Sequence, residues 1–144
     1  MAPEGELTPA SEKLILVIED DEGTRELMEK ILTLEGFRFE AARDGQEGID
    51  KAQALKPDLI MLDLRLPKYQ GSEIVRMLQQ GETSGIPVII VTGHAGDRSN
   101  ADALRQEINV KGYFEKPVNP MALGMNLHML LKTKPPMKGK PTAW

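Results

Sequence analysis

Hydrophobic residues in this chain fall into short runs, and amphipathic stretches lie between them. The runs predict five strands, at residues 14–18, 37–42, 59–62, 88–91 and 112–114. Those at 59–62 and 88–91 are apolar throughout, which is typical of strands covered on both faces. In the run at 37–42, charged and aromatic residues alternate, which indicates a more exposed strand.

The stretches between the runs have the periodicity of amphipathic helices. The residues predicted to face the core are Leu27, Met28, Ile31 and Leu32 in the first helix, and Ile74, Met77 and Leu78 in the third. Asp44, with Glu47 three residues later, resembles a capping box and predicts the start of the second helix. A fourth helix, over residues 101–108, is less regular.

The last helix is predicted to begin at Asn119, which is followed by a proline, and to run to about Leu131. It carries Met121, Met125 and Met129 at four-residue spacing. We expect these methionines to form a stripe that faces the core. The alternative is a partner-binding face, because methionine suits adaptable binding surfaces.

Strands that alternate with helices indicate an α/β fold, with a parallel sheet and helices on both faces. The folded domain is predicted over residues 13–132. Residues 1–12 are interpreted as a flexible N-terminal tail, and residues 133–144 as a basic, proline-rich C-terminal tail or linker. A chain of 144 residues has room for one domain with a substantial core.

Composition narrows the possible classes of function. A net charge of −4 argues against a general nucleic-acid binder, which needs a basic surface. The absence of cysteine excludes disulfides, thiolate metal sites and a cysteine nucleophile. No apolar run has the length of a membrane span, and the N-terminus does not resemble a signal peptide. We therefore expect a soluble cytoplasmic protein without direct nucleic-acid or membrane contacts.

Charged and polar residues stand at the ends of four predicted strands. Glu19 and Asp20 follow the first strand, Asp63 the third, Thr92 the fourth and Lys116 the fifth. In an open parallel sheet these carboxyl ends meet at one edge, where ligands bind. A carboxylate at the end of a buried strand is costly unless something there needs its negative charge.

The acids at the strand ends predict a site for a divalent cation. Three carboxylates about 4 Å apart repel one another by roughly 4 kcal/mol per pair unless a cation shares the site. Oxygen ligands without histidine or cysteine select magnesium, manganese or calcium over zinc. Together with the lysine and the threonine hydroxyl, such a site can receive a phosphoryl group on a carboxylate.

Four stretches of the sequence resemble the receiver domains of two-component response regulators. They are LILVIEDD from Leu14, LDLRLPKYQG from Leu62, VTGHA from Val91 and GYFEKP from Gly112. The similarity covers about residues 13–132, in the family's order and spacing. It implies a flavodoxin-like, doubly wound parallel sheet with strand order 2-1-3-4-5.

The resemblance implies a role for each acidic residue of the site. Asp63 is the phosphoacceptor by this resemblance. Asp20 is the direct metal ligand, Glu19 is a second acid that acts through water, and the backbone carbonyl of Arg65 completes the protein's share of the metal shell. Lys116 forms an ion pair with the phosphoryl group. The implied cofactor is Mg²⁺ or Mn²⁺.

The resemblance also implies a switch next to the phosphoacceptor. Thr92 supplies a hydroxyl that moves toward the phosphoryl group, and Tyr113 is the aromatic residue that turns inward with it. Pro117 stands in its usual place in the family, after a peptide bond that is typically cis.

Two further residues near the site each have two interpretations. Asp21 is interpreted as a cap of the first helix, with a share in the acidic site as the alternative. His94 is interpreted as a solvated loop residue. The alternative is that His94 and Arg65 tune the lifetime of the acyl phosphate.

The predicted function is a phosphorylation switch. A histidine kinase or a phosphotransfer domain donates a phosphoryl group to Asp63, and the face made by the fourth helix, fifth strand and fifth helix then binds an output protein or a second copy. The alternative is a pseudo-receiver that acts as a constitutive protein-binding module. A phosphate-ester hydrolase is disfavoured, because Arg65 stands where such enzymes place a second acid. Only magnesium-dependent self-phosphorylation and slow self-dephosphorylation are expected.

Overall fold

The computed structural model describes residues 6–66, 69–93 and 104–136. The strands in this part of the chain are β1 (Leu14–Ile18), β2 (Arg38–Ala42), β3 (Leu59–Asp63), β4 (Val88–Thr92) and β5 (Val110–Glu115). The helices are α1 (Glu22–Glu35), α2 (Gly45–Leu55), α3 (Gly71–Leu78) and α4 (Pro120–Leu131), with short 3-10 helices at Ala10–Glu12 and Gly81–Thr83. The helix predicted over residues 101–108 falls partly outside the described residues.

The five strands form one parallel sheet in the order β2-β1-β3-β4-β5. This confirms the doubly wound sheet and the strand order. The winding reverses between β1 and β3, which are hydrogen-bonded neighbours with Ile18 opposite Leu62. Residues that follow these two strands therefore leave the sheet side by side, at the point where open α/β sheets bind ligands.

Apolar side chains pack on both faces of the sheet. Helices α1 and α4 cover one face, which we call the first core, and α2 and α3 cover the other, the second core. Alternation along β1 shows the division, since Ile15 and Val17 lie in the first core and Leu16 and Ile18 in the second. Strands β3 and β4 are buried over their whole lengths, as their continuous apolar runs predict.

The strand boundaries differ slightly from those predicted. Strand β2 begins at Arg38, and Phe37 is buried in the first core immediately before it. Strands β3 and β4 include Asp63 and Thr92, the polar residues predicted to follow them. Strand β5 has six residues, and its partly exposed positions carry no continuous apolar run, so the sequence pattern predicts too short a strand.

Side-chain caps fix the starts of α2 and α4, as predicted. Asp44 accepts a hydrogen bond from the backbone N–H of Glu47 at 2.8 Å, and the Glu47 carboxylate accepts one from the backbone N–H of Arg43 at 2.6 Å. Asn119 accepts one from the backbone N–H of Ala122 at 3.1 Å. Each cap satisfies N–H groups that have no partner within their own helix.

The prediction that Leu27 faces the core is wrong, because this side chain is 39% exposed. Met28, Ile31 and Leu32 are buried as predicted. Helix α1 covers a single face of the sheet, so it buries a narrow stripe and leaves Leu27 beside it. The predicted core residues of α3 are buried or packed against the second core.

The prediction that the methionines of α4 face the core is also wrong. Met121, Met125 and Met129 are 74%, 70% and 68% exposed, and the core side of this helix is formed by Leu123 and Leu127. Apolar residues occupy both faces of α4, so the sequence pattern does not indicate which face is buried. The helix has twelve residues, and no helix in the described part of the chain is long and apolar enough to cross a membrane.

The segments that flank the sheet meet beside the end of α4. Thr8 and Thr133 form a parallel β-bridge, and the backbone N–H of Thr8 donates to the Lys132 carbonyl at 3.0 Å. The two ring nitrogens of buried His128 lie 2.7 Å from Thr133 Oγ1 and 2.8 Å from Glu35 Oε1. These contacts lie partly within the segments predicted as tails, at residues 1–12 and 133–144.

The close packing of α2 on β1 predicts that Gly48→Ala destabilises the protein. A Cβ at Gly48 would lie 2.5 Å from Cδ1 of Ile18, whereas a Cβ at Gly23 in α1 would have ordinary contacts at 3.7 Å. Overpacking of this kind costs about 1–3 kcal/mol. We expect Gly48→Ala to lower the free energy of unfolding by about that amount in urea titrations.

Gly23→Ala is the matched control, since it also replaces a helical glycine. It should leave stability unchanged or raise it by less than about 1 kcal/mol, because alanine favours the helix. Equal changes in the free energy of unfolding for the two substitutions would show that the contact of α2 with β1 leaves room for a side chain at Gly48.

Candidate functional site

Neighbouring strand ends bring the candidate site residues together. Glu19 and Asp20 follow β1, Asp63 ends β3, Thr92 ends β4 and Lys116 follows β5. In the sheet, β3 lies between β1 and β4, and β5 pairs with β4. The structure therefore gathers at one edge all five residues that the sequence predicts for the centre of the site.

The acidic cluster consists of Glu19, Asp20 and Asp63. Each offers a carboxylate oxygen, and these oxygens all lie within 4.8 Å of one another. Glu19 is fully buried and Asp63 is 4% exposed, whereas Asp20 lies at the surface. Hard oxygen donors that combine buried and solvent-exposed carboxylates fit a divalent cation that keeps part of its water shell.

Lys116 supplies positive charge to the two buried carboxylates. Its Nζ lies 2.5 Å from Glu19 Oε1 and 3.4 Å from Asp63 Oδ2. Its backbone N–H donates to the carbonyl of Thr92 at 2.8 Å, which extends the pairing of β4 and β5 as far as the site. The peptide bond from Lys116 to Pro117 is cis, as the family resemblance implies.

Burial shapes the protonation of this cluster. Burial, together with a hydrogen bond to Asp63, raises the pKa of Glu19 from its ordinary value of 4.5 to about 7, although Lys116 acts in the opposite direction. Burial lowers the pKa of Lys116, but its hydrogen bond to Glu19 and the nearby carboxylate charges outweigh that and raise it. Lys116 therefore stays charged, while Glu19 titrates near neutral pH.

Backbone N–H groups orient both buried carboxylates. The N–H of Arg65 donates to Asp63 Oδ1 at 3.1 Å, and the N–H of Asp21 donates to Glu19 Oε2 at 3.3 Å. The Asp21 side chain instead caps α1 by accepting from Thr24 N and Thr24 Oγ1 at 2.8 and 2.7 Å. These two hydrogen bonds lower the pKa of Asp21. The prediction of Asp21 as a helix cap is confirmed.

Arg25 contributes to the site and was missed by the sequence analysis. Its Nη1 donates to the Glu19 carbonyl at 3.1 Å and to the Asp20 carbonyl at 3.5 Å. These hydrogen bonds tie the backbone of the segment that carries Glu19 and Asp20 to the first turn of α1. The available signal was its position one helical turn after the capping residue, where a long basic side chain reaches back over the loop.

Of the residues predicted as a switch, Thr92 ends β4 next to the strand of Asp63, and Tyr113 lies within β5. Thr92 is 2% exposed, and half-buried Tyr113 packs against the second core. Cζ of Arg105 lies 4.3 Å from the centroid of the Tyr113 ring, a cation–π arrangement. His94 lies outside the described residues, so both of its interpretations stay predictions.

Known proteins share much of this sequence and architecture. The alkaline phosphatase synthesis regulatory protein PhoP of Bacillus subtilis is 33% identical over 120 residues, which make up 83% of this chain and 49% of PhoP. The chain thus spans about half the length of this curated relative. A receiver domain protein of Clostridium thermocellum is similar in structure, with a TM-score of 0.76 and 28% identity over 83% of this chain and 94% of that one.

A third match carries a metal in the corresponding type of site. It is the receiver domain of a sensor histidine kinase from Pseudomonas aeruginosa, described with a magnesium ion coordinated in the active-site cleft. The TM-score is 0.74, and the sequences are 25% identical over 83% of this chain and 97% of that one. Receiver domains therefore include proteins with magnesium in the cleft, which agrees with the acidic cluster found here.

The family model for the response regulator receiver domain matches residues 15–128. The match runs from the second residue of β1 into α4, so it includes every strand end that forms the acidic site. The described residues of the site include the carboxylate oxygen donors and the lysine that the resemblance implies. The chain belongs to the receiver domain family of two-component response regulators, a family of signalling proteins rather than metabolic enzymes.

Proposed function

We propose that this chain accepts a phosphoryl group on Asp63 and thereby switches the binding of a partner. The observation that carries the proposal is the position of the Asp63 carboxylate, which lies within 4.8 Å of carboxylate oxygens of two other acids and 3.4 Å from the Lys116 ammonium. The donor is a histidine kinase or a phosphotransfer protein, as is typical of the family. The same proposal places the protein in the cytoplasm, where such donors act.

Transfer requires an ionised and oriented carboxylate. An oxygen of Asp63 forms a bond to phosphorus while the bond between phosphorus and the donor's imidazole nitrogen breaks, and the electron pair of that bond passes to the imidazole. The Arg65 N–H holds Oδ1 at 3.1 Å, which fixes the orientation of the carboxylate. Lys116 lies on the side of Oδ2, where its charge stabilises the phosphoryl oxygens during transfer.

The acidic cluster fits a divalent cation, which neutralises charge on the phosphoryl oxygens when it is bound. Asp20 and Asp63 are the proposed direct ligands, together with the backbone carbonyl of Arg65. Glu19 is proposed to act through water, since its Oε1 is already engaged by Lys116. An all-oxygen donor set favours Mg²⁺ or Mn²⁺.

The proposed switch runs from β4 to β5. Thr92 ends the strand beside Asp63, and its hydroxyl is proposed to donate to a phosphoryl oxygen. Tyr113 pairs with Ile90, two residues before Thr92 in β4. A shift of Thr92 is proposed to change the space available to the tyrosine ring. The surface that responds is proposed to include β5, the segment before it and α4, and its partner is an output protein or a second copy.

The proposal predicts that the chain gains one phosphoryl group in acetyl phosphate and MgCl₂, and that Asp63→Asn abolishes this gain. The amide is a poor nucleophile and cannot form the acyl phosphate. Intact-protein mass spectrometry measures the adduct. Asp50→Asn, which removes an exposed carboxylate on α2, is the control and should gain the phosphoryl group normally.

Two results would contradict the phosphoacceptor assignment. One is an undiminished adduct in Asp63→Asn, and the other is a natural chain that stays unmodified. A partner affinity that is unchanged by phosphorylation and by Asp63→Asn would instead favour a constitutive binding module. Many turnovers of a phosphomonoester would indicate a hydrolase.

The raised pKa of Glu19 predicts that Mg²⁺ binding weakens as the pH falls below about 7. Protonation removes a negative charge from the acidic cluster, so the affinity should fall by up to about tenfold per pH unit in that range. Titration calorimetry between pH 8 and about pH 6 measures the effect. Glu19→Gln should bind Mg²⁺ more weakly at pH 8 and should lose most of the pH dependence.

The same pKa predicts a pH dependence of stability in EDTA. The folded pKa of about 7 exceeds the ordinary value of 4.5, so the contribution of Glu19 to stability is complete below about pH 4.5 and is lost as the pH rises through 7. Glutamine at this position does not titrate, so the melting temperature of Glu19→Gln should not show this loss. The melting temperature of the natural chain relative to that of Glu19→Gln should therefore fall as the pH rises through 7. A loss of the same size in Glu19→Gln would assign it to another group.

A further inference from the structure

The ring of Tyr113 contacts both the core and a charged group. Half-buried Tyr113 packs against the second core, and Cζ of exposed Arg105 lies 4.3 Å from the centroid of its ring. A guanidinium over the face of an aromatic ring is attracted by the negative charge of that face. The contact therefore stabilises the ring in the position that it occupies in this structure.

Tyr113 and Thr92 lie on the same face of the sheet. Val88 and Ile90 belong to the second core, so Thr92, two residues after Ile90 in β4, lies on that face too. Tyr113 pairs with Ile90, whereas Thr92 pairs with Glu115. Thr92 is thus one step closer than Tyr113 to the carboxyl edge of the sheet. A ring that turns toward Thr92 moves toward that edge.

Arg105 is held near the other end of β5. Leu104, the residue before it, is 3% exposed and belongs to the second core. The backbone N–H of Glu107 donates to the Leu104 carbonyl at 3.0 Å, and that of Val110 donates to the Glu107 carbonyl at 3.0 Å. Arg105, Tyr113 and the first three residues of β5 line one cavity of about 340 Å³. These contacts keep Arg105 beside the start of the strand.

We propose that Arg105 holds the Tyr113 ring in its outward position and thereby restrains the switch. The inference rests on the proposed function, in which the ring turns toward Thr92. Such a turn takes the ring away from Arg105, so the cation–π contact is made in the resting state alone. A contact made in only one of two states shifts the equilibrium toward that state. Arg105 is a positioning residue, because it acts on the switch through Tyr113.

The inference predicts that Arg105→Gln favours the inward position of the ring. Glutamine removes the charge, and a cation–π contact at an exposed site changes an equilibrium about two- to fivefold. The ratio of inward to outward rings should rise by that factor. Beryllofluoride, which mimics the phosphoryl group on Asp63, should then reach half-saturation at a concentration lower by about the same factor, because its apparent affinity follows the fraction of chains in the inward state.

Two NMR signals separate the position of the ring from occupancy of the site. Tyr69→Phe leaves Tyr113 as the single tyrosine of the chain, so a ¹³C-labelled tyrosine ring reports its position. The backbone N–H of Arg65, which lies 3.1 Å from Asp63 Oδ1, reports binding of beryllofluoride in MgCl₂. Without beryllofluoride, the ring signal of Arg105→Gln should lie closer to the bound position than that of the natural residue.

Three variants serve as controls. Lys111→Gln removes an equal charge from the same cavity and should not raise the affinity, because loss of a positive charge by itself weakens the binding of an anion. Arg105→Lys keeps a cation near the ring and should fall between Arg105 and Arg105→Gln. In Tyr113→Leu, which has no ring to hold, Arg105→Gln should leave the half-saturation concentration unchanged.

The outcomes distinguish this inference from the proposed function. An Arg65 signal that saturates at the same beryllofluoride concentration in Arg105→Gln, with an unmoved ring signal, would contradict only the role of Arg105. The same holds for a gain in affinity that persists in Tyr113→Leu or that Lys111→Gln reproduces. An Arg65 signal that never responds to beryllofluoride, together with no adduct from acetyl phosphate, would contradict the proposed function and the restraint with it.

Discussion

The ion pairs of Lys116 with Glu19 and Asp63 are the interaction on which the site depends. Two carboxylates are almost completely buried at adjacent strand ends, and without a cation their burial would be strongly unfavourable. Lys116 reaches them because its backbone continues the pairing of β5 with β4. The parallel sheet thus places the lysine and the acids together.

The sequence predicts this centre well because a parallel sheet turns one-dimensional order into spatial proximity. Once the apolar runs are recognised as strands, Asp63 and Lys116 must lie at the same edge, although they are 53 positions apart in the chain. Helix caps are also predictable from the sequence, since the side chains of Asp44 and Asn119 accept hydrogen bonds from backbone N–H groups only three residues later. Local chemistry and strand order together explain most of the site.

Other features depend on long-range contacts that the sequence pattern does not encode. Both faces of α4 are apolar, so periodicity alone could not show that Met125 is exposed while Leu127 is buried. The contact of Arg25 with the loop of acids depends on how α1 leaves β1, and the sequence shows only an ordinary helical arginine. The burial that raises the pKa of Glu19 likewise arises only once the neighbouring strands surround it.

A double-mutant cycle between Lys116→Met and Asp63→Asn, measured by denaturation in EDTA, tests the central claim most directly. Removing one partner of a buried ion pair costs about 3–5 kcal/mol, because it leaves the other charge uncompensated. The account predicts that Lys116→Met destabilises the natural chain by a large part of that amount, and that the loss shrinks by at least about 1 kcal/mol when Asp63 is already Asn. Equal losses in the two backgrounds would contradict it.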